Sequence, residues 1–350
     1  MPADSTLPPH ALGGATVYDV ARLAGVSAMT VSRVINGRAH VAEATRAKVT
    51  AALASLHYQP NLAARAARTG TLRIGLLYSN PSAAFLSELL VGAMDQSSQS
   101  GAQLVLERCD TLASQKIAIN KLIAAGVDGV LVPPPLCDSA AALKQLKEMN
   151  MPVVAVATAR PADGIAAVRI DDYQGALTMT NHLLALGHTD IAFIKGDPKH
   201  TPAQLRLIAF RDAMKAAGLT VPDGRIAQGH FTYRSGLDAA RCLLAGPSLP
   251  TAIFASNDDM AAAVLAVAHG MRLRVPEDLT VCGFDDTPVA TTVWPELTTI
   301  RQPIAEMARA AVLLLADDIR RRHAGEPGSA EHRLLAFSLV VRASSGVPPA

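Results

Sequence analysis

Two groups of side chains in this sequence are placed where recognition chemistry is possible. The first centres on Arg33, in the stretch "VSAMTVSRVING". On a helix begun at Ser27, the Arg33 guanidinium faces outward and can donate two hydrogen bonds to a guanine edge; Ala28 and Met29 also face outward and offer apolar contact, for instance to a thymine methyl. Ser27, Thr30, Ser32 and Asn36 suit phosphate hydrogen bonds, which position a module without reading sequence. The second group is Arg206, Phe231, Asn257 and Asp285. Each lies in a polar segment ("GDPKHTPAQLR", "GHFTYRSG", "SNDD", "FDD") that follows a short apolar run. Bidentate polar groups beside an aromatic face suit a ligand rich in hydroxyls or carrying a carboxylate. Ser79, Asn80 and Phe85, after the first apolar run, are further candidates.

Each member of the second group has a plainer reading: Arg206 as a helix surface charge, Phe231 as a core aromatic, Asn257 as a helix cap. Asp285 beside Asp286 is harder to read that way, because adjacent carboxylates at a strand end repel unless something uses them. His188 and His200 read as structural or surface residues.

Reactive chemistry is not indicated. There is no G-x-S-x-G, no GxxxxGK[ST], no H-E-x-x-H and no Cys-His arrangement, so an enzyme is not expected. Cys109, Cys137, Cys242 and Cys282 are far apart, form no C-x-x-C pair and read as buried thiols. No metal and no cofactor is expected.

The elements that must position these groups change character along the chain. From Thr16 the pattern is helical. Thr16 can cap a first helix with Val20, Leu23 and Ala24 inward, and Asp19 sits in its first turn, where the dipole favours an anion. Gly25 supplies a turn. Ser27 caps a second helix carrying Val31, Val34 and Ile35, which Asn36 and Gly37 stop. A third helix is expected over about 42–56, with Val49, Leu53 and Leu56 on one stripe. Two short helices joined by a glycine turn, with a third across them, form the helix-turn-helix, whose second helix presents its N-terminal side chains to the major groove. Charge agrees: residues 1–70 hold seven basic side chains and three acidic ones in a chain of net charge +2.

After Gly70 eight short apolar runs (72–78, 102–108, 127–133, 151–157, 190–196, 225–230, 251–257 and 279–286) alternate with helical stretches such as "PAQLRLIAFRDAMKAAG". Near-continuous apolar strands separated by helices argue for parallel sheets covered on both faces. Periodicity leaves one barrel or two doubly wound lobes open. With 350 residues and roughly 150 per domain, two or three units are expected. Apolar runs such as Ala261 to Ala268 fall short of the ~18 residues a membrane span needs. The opening "MPADSTLPPHALGG" has no basic n-region followed by an apolar h-region. No membrane association is expected, and a cytoplasmic location is.

The string "TVYDVARLAGVSAMTVSRVING", followed by "VAEATRAKV" and "HYQPNLAAR", closely resembles the DNA-binding headpiece of the LacI/GalR family of bacterial transcription regulators. The resemblance continues through "ALGHTDIAFIKG", "FASNDDMA", "VPEDLTVCGFDD" and "PELTTIRQP", and so covers nearly the whole chain. It implies an N-terminal all-α headpiece and an α/β body of two lobes like those of periplasmic sugar-binding proteins. The expected division is a disordered extension at 1–15, the headpiece at 16–59, a hinge helix at 60–70, the body at 71–340 and a flexible tail at 344–350. In that layout one lobe takes about 71–160 plus 287–324, and the other about 161–286 plus 333–343.

The resemblance further implies a cytoplasmic transcription factor, most of all a repressor in carbohydrate utilisation. It would bind a palindromic DNA operator as a homodimer under control of a saccharide or other small ligand, and sit on the nucleoid when bound. A periplasmic solute-binding protein is the alternative, but it requires an export signal and leaves the N-terminal helices without a use. Ala28, Met29 and Arg33 would read bases, with Thr16, Ser27, Thr30, Ser32, Asn36 and His40 beside them. Asn61, Ala64, Arg65, Ala67 and Arg68 would form the hinge contacts. Arg206, Phe231, Asn257 and Asp285 match positions that contact effectors in the family.

Two departures stand out. Many members carry an acidic effector ligand where this chain has Ala157, and their hinge helix usually carries a wedging leucine where this chain has Ala67. A methyl group is a poor wedge, so a smaller operator bend is expected. The C-terminal "RASSGVPPA" holds no leucine heptad, so no tetramer is expected by that route.

Overall fold

The computed structural model describes residues 17–35, 42–56, 71–79, 82–109, 112–246 and 248–349. The chain divides into two units, Met1–Arg68 and Thr69–Ala350.

In the first unit the helices are α1 (Val17–Ala24), α2 (Ala28–Ile35) and α3 (Glu43–Ser55). Val20, Ala21, Ala24, Val31, Val34, Val49 and Ala52 form their core. Gly25, at φ 66°, makes the turn between α1 and α2 in a conformation that costs glycine least. The Val26 amide closes it on the Ala21 carbonyl at 3.0 Å. The Ser27 hydroxyl accepts from the Thr30 amide at 3.1 Å and so caps α2. Two expectations need correction. Leu23 is 57% exposed, because Val20, Ala21 and Ala24 define the buried stripe and residue 23 falls to one side of it. Ala28 does not face outward; it packs half-buried against this core.

In the second unit the chain builds two separate parallel sheets, which decides between a barrel and two lobes. The first lobe contains β1 (Arg73–Tyr78), α4 (Ala83–Gln99), β2 (Gln103–Arg108), α5 (Leu112–Ala124), β3 (Gly129–Val132), α6 (Ala140–Glu148), β4 (Val153–Val156) and β5 (Ala166–Arg169). The second contains α7 (Asp172–Ala185), β6 (Ile191–Lys195), α8 (Thr201–Ala216), β7 (Ile226–Gln228), α9 (Tyr233–Leu244), β8 (Ala252–Ala255), α10 (Asp258–Gly270), β9 (Thr280–Cys282) and α11 (Val289–Thr292). The chain then passes through β10 (Thr299–Arg301), α12 (Ile304–His323), β11 (His332–Leu334) and β12 (Ser338–Val340).

Strand order is β11-β5-β4-β3-β1-β2 in the first sheet and β7-β6-β8-β9 in the second; β10 and β12 pair antiparallel. Strands β3, β4 and β8 are buried along their whole length, as sheets covered on both faces require. Helix α12 returns to the first lobe and lies against α4, where a Cβ at Gly92 would collide with the Ala305 backbone. Phe193 stacks on Phe210 at 4.9 Å between centroids and meets Phe254 edge-on, closing the core of the second lobe.

The lobe boundaries differ from the expected ones. Strand β5 joins the first sheet by pairing with β4, whereas the resemblance implies that 161 onward belongs to the second lobe. The C-terminal "RLLAFSLVV" splits: β11 pairs with β5 in the first lobe, and β12 pairs with β10. Residues 287–300 stay with the second lobe, where α11 packs on α10 and Thr298 bridges Cys282. Nor are residues 344–346 a free tail. Ser344 is fully buried and accepts from the Val281 amide at 2.9 Å, because this segment runs alongside β9. Of the four thiols, Cys109, Cys137 and Cys282 are buried, while Cys242 is exposed. No described helix is long and apolar enough to cross a membrane.

Candidate functional site

In the first unit Met29 is 66% exposed and Arg33 is exposed, so α2 presents an apolar side chain and a guanidinium one turn apart. Ser27 is exposed and Thr30 half-buried, their hydroxyls 2.9 Å apart. Lys48 on α3 adds an exposed cation, whereas Arg22 is engaged with Asp19. The side chain of Ser32 lies outside the described residues, as do Thr16, Asn36, His40, Asn61, Ala64, Arg65, Ala67 and Arg68.

In the second unit a cleft lies between the two lobes, an arrangement in which small-molecule sites commonly form. Arg206, Phe231, Asn257, Asp285 and Phe85 all line it. Ser79, half-buried, is not among its lining residues, and Asn80 lies outside the described residues.

Arg206 projects from α8, which packs on α7, and is buried rather than on the surface. Its Nε and Nη2 both donate to Asp172 Oδ1, at 2.9 and 2.7 Å. Nη1 donates to the Ser256 carbonyl at 2.6 Å and lies 3.7 Å from Asp285 Oδ1. The guanidinium rests on the Phe284 ring, 3.6 Å from its centroid, and the cation–π contact fixes its plane.

Asp285 Oδ1 accepts from Gln302 Nε2 at 2.5 Å. Burial pushes the Asp285 carboxyl up to about 7, with Arg206 opposing and the nearby Asp259 and Asp172 adding to the rise. Asp286 turns away, held by Arg301 at 2.6 Å and Arg342 at 2.7 Å. The two adjacent carboxylates are thus divided between a cleft and a structural ion pair.

Asn257 caps α10, its Oδ1 accepting from the Met260 amide at 3.0 Å, and its Nδ2 donates to the Phe231 carbonyl at 3.1 Å. It is both a cap and a wall of the cleft. Phe231 sits at φ 60° and stacks on His200 with centroids 5.2 Å apart. A Cβ at Gly196 would overlap the Phe231 ring, so that glycine makes room for the aromatic wall. Ala157 and Asp285 also hold positive φ, 55° and 115°. Such backbone costs on the order of 1–3 kcal/mol per residue and clusters at functional sites.

The lining also includes Asp172, His200, Gln302, Ser82, Pro134, Pro202 and Ala157. His200 is therefore not a surface residue but lines the cleft; burial lowers its pKa and favours the neutral ring. Asp172 and Gln302 follow the short strands β5 and β10, whose three or four residues carry too little periodicity to mark a strand end. Ser82 caps α4 and reaches across to Asp259 Oδ2 at 2.5 Å. On the opposite side of the cleft Asp138 accepts from the Thr158 hydroxyl at 2.7 Å and the Thr201 amide at 2.8 Å. Both lobes are thus tied at two carboxylates. His188 is structural, its ring nitrogens 2.9 Å from Thr251 Oγ1 and from the Gly346 carbonyl. Among the described residues no group of His, Cys, Asp and Glu side chains has the arrangement of a metal site.

A model of the bacterial regulatory proteins of the lacI family matches residues 16–61, and one of a periplasmic binding protein-like domain matches residues 180–345. The ribose operon repressor of Escherichia coli (strain K12) is 39% identical over 308 residues, covering 86% of this chain and 92% of the relative. Among solved structures, the transcriptional regulator CelR–cellobiose complex is similar at a TM-score of 0.70 and 33% identity, over 94% of this chain and 99% of that one. The lac repressor dimer bound to operator and the anti-inducer ONPF gives 0.70 and 29%, over 95% and 100%.

Proposed function

This chain belongs to the lacI family of bacterial regulatory proteins and is a DNA-binding transcriptional regulator, and from that premise we propose that it is a repressor whose operator affinity is set by a saccharide held in the cleft of its body. The observation that carries this reading is the convergence of Arg206, Asp285, Asn257 and Phe231, from four separate elements, on one cleft. Donors, acceptors and an aromatic face so arranged match a polyol, whose hydroxyls both donate and accept. The names of the ribose operon repressor and of the cellobiose complex support a sugar as the effector class. Nothing in the site assembles a nucleophile with a base, and the reading assigns no reaction to it.

Arg33 and Met29 read the major groove, and Ser27 and Thr30 hold phosphates. One headpiece spans few base pairs, so a homodimer on a palindromic operator multiplies affinity and specificity. Val91 and Met94 on α4, Leu106 on the edge strand β2 and Ile117 on α5 are exposed apolar side chains of the first lobe, and they suit a two-fold contact. The protein works in the bacterial cytoplasm, on the nucleoid when bound.

A thermal-shift screen of free sugars on the full-length protein, repeated with Phe231→Ala, tests the assignment of ligand and site together. A sugar that stabilises the wild type and not the variant is expected. Stabilisation by no sugar, or equally in both proteins, overturns it.

A further inference from the structure

Among the described residues, the walls of the cleft carry a single permanently charged cation, Arg206, and two carboxylates, Asp172 and Asp285. Both groups of the ion pair are buried, with side chains 5% and 3% exposed. Asp172 stands in the first turn of α7; burial raises its pKa while Arg206 opposes the rise, and one oxygen takes both the Nε and the Nη2 bonds of Arg206. We propose that Asp172 is a specificity-determining residue: by occupying Arg206 it makes the cleft take an uncharged sugar in preference to a phosphorylated or carboxylate-bearing one. This rests on the reading of the cleft as a saccharide site.

A phosphate or carboxylate is recognised tightly when it meets a guanidinium with donors to spare. Here three of the five N–H donors are engaged, Nε and Nη2 with Asp172 and Nη1 with the Ser256 carbonyl, and the charge is already paired at 2.7 Å. An entering anion would face Asp172, and Asp285 whenever it is ionised, without an unpaired cation, and like charges brought together in a desolvated site repel. His200 adds no charge, because burial holds it neutral. A neutral polyol meets the opposite situation. Oδ2 of Asp172 and Oδ2 of Asp285 accept no protein hydrogen bond among the described residues, and so offer acceptors to sugar hydroxyls. Phe231 supplies a face for the ring carbons. Ala157 places no further charge in the cleft, so its selectivity rests on the Arg206–Asp172–Asp285 cluster.

The test is isothermal titration of the full-length protein with unmodified pentoses and hexoses, their 5- or 6-phosphates, and inorganic phosphate. The wild type is expected to bind one free sugar at least about tenfold more tightly than its phosphate ester, and inorganic phosphate not at all. Asp172→Asn, which keeps the shape and removes the charge, should move that ratio toward the ester by about tenfold or more, and Asp172→Glu should restore it. A residue that only held the Arg206 rotamer would lower both affinities together and leave the ratio alone. A wild type that prefers the ester, or a ratio unchanged in Asp172→Asn, overturns the proposal. The wild-type preference decides the matter even where the Asn variant does not fold. If neither free nor phosphorylated sugar binds the wild type, the saccharide reading itself fails, and this inference with it.

Discussion

The Ser82 hydroxyl of the first lobe lies 2.5 Å from the Asp259 carboxylate of the second, across the mouth of the cleft. The same hydroxyl accepts from the Phe85 amide at 3.2 Å and caps α4, so the tie between the lobes is anchored in a helix start. Burial raises the Asp259 pKa, and the Ser82 bond opposes the rise. Closure of the lobes over a ligand is therefore supported by one hydrogen bond to a charged group.

Asp259→Asn keeps the cap and weakens this tie. A hydrogen bond to a charged group contributes about 1.5–3 kcal/mol against about 1 for a neutral one, so sugar affinity should fall severalfold while the melting temperature hardly changes. Ser82→Ala should lower both, since loss of an N-cap costs about 1 kcal/mol as well. Titration calorimetry and thermal melts on the two variants separate the effects.

The Asp285 carboxyl gives a pH dependence with a definite sign. Its native pKa is pushed up to about 7, while an unfolded aspartate titrates near about 3.9. Between those values the native state holds a proton that the unfolded chain has released, so stability present at low pH is lost as pH rises through about 7. The groups facing it are Arg206, Gln302, Asp259, Asp172 and the buried Asp258, whose own pKa burial and Asp285 raise. Asp285→Asn removes this titration. The unfolding free energy of the wild type relative to the variant should therefore decline from pH 5 to about pH 8, by an amount on the order of a kcal/mol or more. A difference that does not vary with pH contradicts the burial argument.

Arg33 carries the base readout proposed for α2, since Met29 offers only apolar contact and Ala28 is half-buried. Arg33→Ala should lower the ratio of operator to random-sequence binding by roughly 1–3 kcal/mol per half-site. Fluorescence anisotropy on both DNAs checks this, and equal binding by the wild type and the variant would sink the assignment.

Much of this was legible in the sequence because it rested on strong local signals. Val20, Gly25, Ser27 and Val31 mark two helices and the turn between them, and the burial of Val20 and Val31 follows from spacing alone. The apolar runs around β3, β4 and β8 announced fully buried strands. What escaped notice depended on pairing at a distance. Strand β5 is four residues long and is a strand only because β4 and β11 flank it, and Asp172 begins the helix three residues after its end. His200 gave no sign of its role, because its neighbour in the cleft, Phe231, is thirty-one positions away in the chain. Arg206 could be named from sequence, but not its pairing with Asp172, which comes from the packing of α7 on α8.

The hinge segment, outside the described residues, supports one expectation from sequence. With Ala67 where a leucine wedge is usual in the family, the centre of the operator should be kinked less than is usual, with contacts resting on Arg65 and Arg68. Circular-permutation gel shift measures the bend, and a full-sized central kink contradicts the expectation.

The central claim is that a ligand in the cleft controls the affinity of the headpiece for DNA. It is tested most directly by measuring operator binding, on a site selected from a random library by the wild-type protein, with and without the sugar that stabilises it. The dissociation constant should change by about tenfold or more in the wild type, in either direction, as coupling of about 1–3 kcal/mol implies, and should not respond in Phe231→Ala. An operator affinity indifferent to the sugar, or a response that persists in Phe231→Ala, would contradict it.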